Sequence, residues 1–196
     1  YAHHASKIAE EACLRKCYDA IIAVGGDGSV NDVVSGIRAA KSDVVLGIIP
    51  CGSGNGLARH LKIPLSPKKA MEVINNFYSE KIDTITINGK VCASIAGVGF
   101  DALVAHKFST AHTRGLQAYT EVIVSEYPFY KPTTYRLKID GEEVERKALF
   151  VSFANSNQFG YNAVVAPSAS LKDGLIDVCI VEQIPIIHMP IIAQLV

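Results

Sequence analysis

The amino-acid sequence predicts an α/β domain with a parallel sheet, followed by a β-rich domain built as an antiparallel sandwich. Two apolar runs, residues 18–24 and 44–49, each end in a glycine-rich turn and lead into a stretch with helical character. That order is typical of successive β/α units, whose strands pair in parallel. After residue 82 the pattern changes to short strands joined by tight turns. We therefore expect one domain at residues 1–82 and a second at residues 83–196.

The first unit joins a buried strand to a turn of small residues. This turn, Gly25-Gly26-Asp27-Gly28-Ser29, contains three glycines, which permit a ligand to approach the backbone closely. A helix is predicted after it because apolar side chains recur at positions i, i+3, i+4 and i+7, namely Val30, Val33, Val34 and Ile37. Gly36 is the one poor helix former in this stretch. Residues 1–17, ahead of the strand, are typical of an amphipathic helix.

The second unit repeats this design one β/α unit later. Its strand enters the loop Pro50-Cys51-Gly52-Ser53-Gly54-Asn55, and a short helix is predicted over residues 57–61, before Pro64. Each turn carries a hydroxyl group and is accompanied by an asparagine. Since parallel strands end at the same edge of a sheet, we expect the two turns to converge there.

A glycine-rich turn between a strand and a helix presents backbone N–H groups and the positive end of the helix dipole. Such a place attracts an anion, and phosphate fits best. Neither turn has the Gly-Lys-Ser/Thr of a Walker A loop or the spacing of the dinucleotide-binding fingerprint. For either turn taken alone, glycines that only allow tight packing are the alternative interpretation.

The composition excludes some classes of protein. The chain has 196 residues, 49% of them hydrophobic, and 19 basic residues balance 19 acidic ones. Without a basic excess there is no electrostatic case for a nucleic-acid partner. The five cysteines form no C-x-x-C pair, which indicates reduced thiols, and residues 1–17 do not resemble a signal peptide. We therefore expect a cytoplasmic protein.

The second half of the chain alternates in the manner of strand pairs. Asn88-Gly89 predicts a hairpin between residues 83–87 and 91–96, and one helical region is predicted over residues 102–127 with a break near Gly115. Further strands are predicted at residues 135–139, 144–150, 147–155, 161–165 and 175–182, with Asp140-Gly141-Glu142 as a turn between the first two. Together these would form an antiparallel sandwich or open barrel. The apolar run 184–196 is too short to span a bilayer, and we expect a helix from Pro185.

Three segments carry a specific resemblance. The stretches AVGGDGSVNDVVSGI and LGIIPCGSGNGLARHL, and later residues 166–177, APSASLKDGLID, resemble the diacylglycerol kinase and sphingosine kinase family of lipid kinases. Ser29 and Ser53 stand where threonine is common. The resemblance implies a first domain similar to phosphofructokinase and NAD kinase. It also implies that the chain is trimmed at both ends, with the family's acidic general base expected beyond Val196.

The resemblance further implies an ATP site at the two turns. The implied contacts are Gly25, Gly26, Asp27, Gly28, Ser29, Asn31, Gly52, Ser53, Gly54 and Asn55. A carboxylate repels phosphate unless Mg²⁺ intervenes, so Asp27 is assigned to the metal or to activation of the acceptor, as the catalytic residue. The alternative for Asp27 is a turn carboxylate that caps its own backbone.

Two more sites follow from the resemblance. A second Mg²⁺, remote from the phosphates and structural, is implied at Asp173 with the carbonyl groups of Ser170 and Leu175, the alternative being a plain turn. Asp101 lies near the place where sphingosine kinases carry an acidic residue for the lipid headgroup. The implied activity is transfer of the γ-phosphate of ATP to a lipid alcohol such as diacylglycerol or a sphingoid base. Peripheral contact with the inner membrane face is then expected, and a homodimer is left open.

Two other functions remain as alternatives. An NAD kinase or phosphofructokinase relative would also use a Gly-Gly-Asp-Gly turn, although the Pro50 loop and the Asp173 segment argue against both. A nucleotide- or lipid-binding module without catalysis is the second alternative.

Overall fold

A computed structural model describes residues 3–110 and 115–183. The first part alternates helices and strands, as predicted. Its elements are α1 His4–Arg15, β1 Ala20–Gly25, α2 Asp27–Ala39, β2 Val45–Pro50, α3 Gly56–His60 and α4 Pro67–Asn75. The sequence analysis had assigned no element to residues 67–75, where Ser66 and Pro67 begin α4.

Strands β1 and β2 pair in parallel, which confirms the predicted α/β architecture. Ala20 lies opposite Val45 and Gly25 lies opposite Pro50, so both strands end at one edge of the sheet. Helix α2 packs its buried valines on this sheet and against α1. Gly36 is explained by this packing, because a Cβ there would lie 2.2 Å from the carbonyl oxygen of Ser6 in α1. The poor helix former is therefore the residue that lets two helices cross closely.

The second part is antiparallel, again as predicted. It contains β3 Ile85–Ile87, β4 Lys90–Cys92, β5 Ile95–Gly99, α5 Phe100–Thr110, α6 Leu116–Glu126, a 3₁₀ turn Tyr127–Phe129, β6 Thr133–Ile139, β7 Glu142–Ala148, β8 Phe150–Ala154 and β9 Asp177–Val181. Strand β8 lies between β5 and β9 in one antiparallel sheet, and β3–β4 and β6–β7 are hairpins. The break before α6 at Gly115 and the turn at Asp140-Gly141 are confirmed.

Three details of the strand prediction are wrong. The first hairpin ends at Cys92, and residues 95 and 96 belong to β5, which pairs with β8. The predicted strands 144–150 and 147–155 overlap, whereas β7 and β8 are separated at Leu149, whose N–H donates to the carbonyl of Val181. Residues 161–165 form no strand, because Tyr161 and Asn162 adopt left-handed backbone angles and only one isolated bridge forms there. The helix expected from Pro185 lies outside the described residues.

Asn155 joins the start of the β-rich part to its central sheet. Its side chain is fully buried, and Nδ2 donates to the carbonyl groups of Asp83 and Ala93, both at 2.9 Å. These two segments are 72 and 62 residues away in sequence. A single amide therefore holds together two chain segments that no local preference would bring into contact.

Asn155→Ala is expected to lower the free energy of unfolding by about 2 kcal/mol or more, because the buried carbonyl of Ala93 and the half-buried carbonyl of Asp83 lose their donor. Urea denaturation measures this. Asn75→Ala, at an exposed position in α4, is the matched control and should change stability by less than about 0.5 kcal/mol. Equal stability of the two variants would contradict the role of Asn155.

Among residues 3–110 and 115–183, no helix has the length and apolar character needed to cross a bilayer.

Candidate active site

The two glycine-rich turns touch each other at the carboxyl edge of the parallel sheet. A Cβ on Gly52 would lie 2.3 Å from the Cα of Gly26, and the N–H of Cys51 donates to the carbonyl of Gly25 at 2.9 Å. The contact at Gly52 is backbone against backbone, which a side chain cannot avoid by rotating. Glycine at position 52 is thus required by the approach of the two turns.

The second turn is closed by the side chain of Asn55. Asn55 has a left-handed backbone (φ 56°) and is buried; its Oδ1 accepts from the N–H of Gly52 at 2.9 Å, and its Nδ2 donates to the carbonyl of Gly52 at 2.7 Å. Its amide is used within the turn, so it shapes the turn. Any contact of this residue with a phosphate would come from its backbone.

Asp27 connects the first glycine-rich turn to α3, the helix that follows the second turn. The N–H of Leu57 donates to Asp27 Oδ1 at 3.4 Å, and a Cβ on Gly54 would lie 3.2 Å from Asp27 Oδ2. Burial raises the pKa of Asp27 above its usual value, while the N–H groups of Leu57, Asn55 and Gly56 oppose that shift. The carboxylate therefore lies between the two turns and is partly desolvated there.

The remaining residues of the first turn differ in what their side chains do. Ser29 lies over Gly25, since a Cβ on Gly25 would be 2.6 Å from Ser29 Oγ. Gly28 faces open space, because apart from its chain neighbours and the nearby backbone of α2 no heavy atom lies within 4 Å of a Cβ there. Asn31 is directed to strand β4, where Nδ2 donates to the carbonyl of Val91 at 3.0 Å and Oδ1 accepts from the N–H of Ala93 at 2.9 Å. Asn31 thereby holds α2 against the β-rich part.

Residues 157–163, which the sequence did not assign to the site, pack on the second turn. A Cβ on Gly160 would lie 2.6 Å from the Cα of Gly54. Arg59 donates from Nε to the carbonyl of Gly54 at 3.0 Å and from Nη1 to Asn162 Oδ1 at 3.3 Å. Asn162 lies 103 residues from Arg59 along the chain, and Gly160 is similarly distant from Gly54, so sequence spacing carries no signal for these two contacts. Arg59 thus links the second turn to the β-rich part.

Asp101 lies in the first turn of helix α5 and lines a separate cavity of about 330 Å³. Its Oδ1 accepts from the N–H of Ala102 at 2.7 Å, and its Oδ2 accepts from the hydroxyl of Ser152 at 3.2 Å. Tyr119 and Phe159 line the same cavity. Burial raises the pKa of Asp101, while the N–H of Ala102 and the hydroxyl of Ser152 act in the opposite direction.

The titration of Asp101 gives a testable pH dependence. In the unfolded chain this carboxyl group loses its proton near 3.8, whereas the folded protein retains it to higher pH. Between these two pKa values the folded state binds more protons, so stability falls as pH rises through that window and is then constant. The free energy of unfolding of wild type should therefore decline relative to that of Asp101→Asn from about pH 4 upward, as measured by urea denaturation at several pH values. A constant difference would contradict burial of the charge.

Comparison with known proteins agrees with this geometry. A family model described as the diacylglycerol kinase catalytic domain matches residues 1–87, and one described as the YegS C-terminal NAD kinase beta sandwich-like domain matches residues 94–193. The chain belongs to the diacylglycerol kinase family. The family predicted from the two turns and the Asp173 segment is thereby confirmed.

Two curated relatives and one solved structure illustrate the similarity. Diacylglycerol kinase of Mycobacterium tuberculosis is 33% identical over 181 residues, which cover 87% of this chain and 57% of that protein. Diacylglycerol kinase of Bacillus subtilis is 33% identical over 189 residues, which cover 93% and 61%. A crystal structure of a diacylglycerol kinase from Bacillus anthracis str. Sterne has a TM-score of 0.76 at 24% identity and covers 99% of this chain and 64% of that one. This family member thus spans less than two thirds of these relatives.

The third motif of this diacylglycerol kinase family member forms a tight turn with two carboxylates. The N–H of Leu175 donates to Asp173 Oδ1 at 3.0 Å, and the N–H of Gly174 donates to Asp83 Oδ2 at 2.8 Å. The N–H of Lys172 donates to Ser170 Oγ at 3.2 Å. Within the described ranges no three His, Cys, Asp or Glu side chains cluster as metal ligands, so an ion here would need backbone carbonyl groups as well. Hard oxygen donors on this turn fit Mg²⁺.

Proposed function

We propose that the full-length protein is an ATP-dependent lipid kinase that transfers the γ-phosphate to the hydroxyl group of a lipid alcohol of the diacylglycerol class. The observation that carries this proposal is the contact between the two glycine-rich turns, with Asp27 held between them. Two turns in contact at the mouth of a parallel sheet can hold one chain of phosphates. Phosphoryl transfer depends mainly on such positioning and on electrostatic stabilisation.

The first turn and α2 would hold the phosphates by their backbone. The N–H groups from Gly25 to Ser29, including the open position at Gly28, would bind phosphate oxygens together with the hydroxyl of Ser53. The N–H of Val30 already donates to the carbonyl of Gly26 within α2. Asn55 and Arg59 keep the second turn in shape. Bound Mg²⁺ would neutralise phosphate charge, and the hard carboxylate oxygens of Asp27 suit it as a ligand.

Asp27 would act on the reacting groups, and Asp101 would bind the acceptor. In the reaction the acceptor oxygen forms a bond to the γ-phosphorus, the bond from that phosphorus to the β-phosphate oxygen breaks, and the acceptor hydroxyl loses its proton. Asp27 lies at the turns, where its carboxylate would bind the metal or would receive a proton, and its raised pKa suits the second of these roles. Asp101 would accept a hydrogen bond from the acceptor's polar head. The turn at Asp173 would hold a structural Mg²⁺.

Diacylglycerol is the acceptor we favour because the curated relatives are named diacylglycerol kinases. The family match favours a lipid kinase over an NAD kinase, and it gives no support to a module without catalysis. A lipid acceptor entails peripheral contact of a cytoplasmic protein with the inner membrane face, and this is part of the proposal.

Incubation of the full-length protein with radiolabelled ATP and a panel of acceptors tests the function. The panel contains diacylglycerol, sphingosine, ceramide, undecaprenol and NAD, each in mixed micelles or buffer as its solubility requires. We expect label in diacylglycerol and magnesium dependence of the transfer. Label in NAD with none in any lipid would refute the proposal, and ATP binding without transfer to any acceptor would favour the binding module.

A further inference from the structure

We propose that His60 is a positioning residue for phosphoryl transfer, whose imidazole holds the second glycine-rich turn in a fixed position relative to the β-rich part. This inference rests on the proposed function, because it concerns how a donor held at the turns is aligned with an acceptor bound by the β-rich part.

The ring of His60 makes one directed contact with the β-rich part. His60 is half-buried and is the last residue of α3, the helix that follows the second turn. Its Nδ1 accepts a hydrogen bond from the N–H of Asn157 at 2.9 Å, across 97 residues of sequence. A backbone N–H can only donate, so Nδ1 carries no proton in this contact and the proton of the neutral ring lies on Nε2. The contact therefore depends on a single acceptor atom.

Asn157 is a firm point of attachment for this ring. It lies three residues after the end of β8, the central strand of the antiparallel sheet. Its own carbonyl accepts from the N–H groups of Val165 and Ala166 at 3.0 and 3.1 Å. Strand β8 also carries Ser152, which donates to Asp101, the carboxylate that we propose binds the acceptor. The imidazole thus joins the donor turn to the strand beside the acceptor site.

Helix α3 is attached to residues 157–163 at two points. Arg59, which precedes His60, donates to Asn162 at 3.3 Å. Neighbouring residues of a helix lie about 100° apart around its axis, so Arg59 and His60 contact this segment at different places. Without the His60 bond one of these two side-chain attachments is lost, and α3 with the preceding turn is held less firmly relative to β8.

These contacts predict that loss of the His60 bond affects kcat more than ATP binding. The second turn is closed from within by Asn55, whose amide bonds to both backbone groups of Gly52, so its shape does not depend on His60. The turn would still bind phosphate, whereas the γ-phosphate and the acceptor would be less well aligned. A small misplacement of reacting groups lowers the rate steeply. A contact needed only for folding would not separate kcat from KM in this way.

Substitutions at position 60 test the inference in the full-length protein. His60→Phe keeps a ring without an acceptor atom, whereas His60→Asn places an amide oxygen near the position of Nδ1. We expect His60→Phe to lower kcat for diacylglycerol by about tenfold or more, with KM for ATP within about twofold of wild type. His60→Leu, which is smaller and also lacks an acceptor, should show the same loss. His60→Asn should keep kcat within about threefold of wild type.

His106→Phe is the matched control, because His106 is exposed on α5, and it should keep the wild-type kcat. Thermal melting shows whether each variant is folded. Hydrogen exchange, followed by NMR of isotopically labelled protein, measures the contact without any substrate. The amide of Asn157 should exchange about tenfold faster or more in His60→Phe than in wild type or in His60→Asn.

Three results would overturn the inference while leaving the kinase activity established. They are unchanged exchange of the Asn157 amide in His60→Phe, a wild-type kcat in folded variants without the acceptor, and equal losses of kcat in His60→Phe and His60→Asn. A raised KM for ATP with unchanged kcat would contradict it as well. Absence of transfer to every lipid by the wild-type protein would instead refute the proposed function, and the inference with it.

Discussion

Asp27→Asn is expected to lower the kcat of phosphoryl transfer by the full-length protein by about a hundredfold or more. Asparagine keeps the size of the side chain and an oxygen that can accept from the N–H of Leu57, so the two turns stay together. It removes the negative charge needed to hold a metal ion or to receive the acceptor's proton. Steady-state rates with diacylglycerol and ATP measure the effect, and thermal melting shows whether the fold is kept.

Asp19→Asn is the matched control for this variant. Asp19 is exposed and precedes β1, whereas Asp27 follows the same strand, so the two carboxylates lie at opposite ends of it. The control should have the wild-type rate. If Asp27→Asn is folded and its kcat remains within about threefold of wild type, Asp27 does not belong to the catalytic site.

The second large effect is expected for Gly52→Ala. The new Cβ would lie 2.3 Å from the Cα of Gly26, so the turns must move apart. We expect the free energy of unfolding to fall by about 1 to 3 kcal/mol, as for other overpacked sites. KM for ATP should rise by about tenfold or more, because a displaced turn loses its contacts with the phosphates. Urea denaturation and steady-state kinetics measure the two effects.

Gly28→Ala provides the comparison at a glycine of the other turn. Apart from its chain neighbours and the nearby backbone of α2, no heavy atom lies within 4 Å of a Cβ at Gly28. This residue is in the first turn of α2, so stability should be unchanged or higher by up to about 1 kcal/mol. Wild-type stability and wild-type KM for ATP in Gly52→Ala would show that the contact between the turns is dispensable.

Some elements were predictable because their signal lies within a few neighbouring residues. The strands at the two glycine turns, the hairpin at Asn88-Gly89 and the helix break at Gly115 all depend on local periodicity or on one turn type. Residues 161–165 were misassigned for the same reason. Their apolar side chains are typical of a strand, but Tyr161 and Asn162 take left-handed angles and the segment packs on the turn at Gly54.

The site was predictable in part. Both turns and Asp27 were recognisable from residue type and order. The family resemblance, also read from short motifs, assigned Asp101 and Asp173 to the site. The direction in which each side chain points was not predictable from the sequence. Asn31 appears in the sequence as a residue of the phosphate turn, yet its amide bonds to strand β4, some sixty residues away. Arg59 has no recognisable motif, and its contact with Asn162 spans 103 residues.

The sequence alone determined the family, the order of the β/α units and the two turns with their glycines, because these depend on short motifs and on the period of apolar residues. Only the tertiary structure decided that Gly26 and Gly52 touch, that Asp27 lies between the turns and that Arg59 binds Asn162. The physical reason is that these contacts join segments that are distant along the chain. Their geometry is set by how the parallel sheet and the β-rich part pack, which local preferences do not encode.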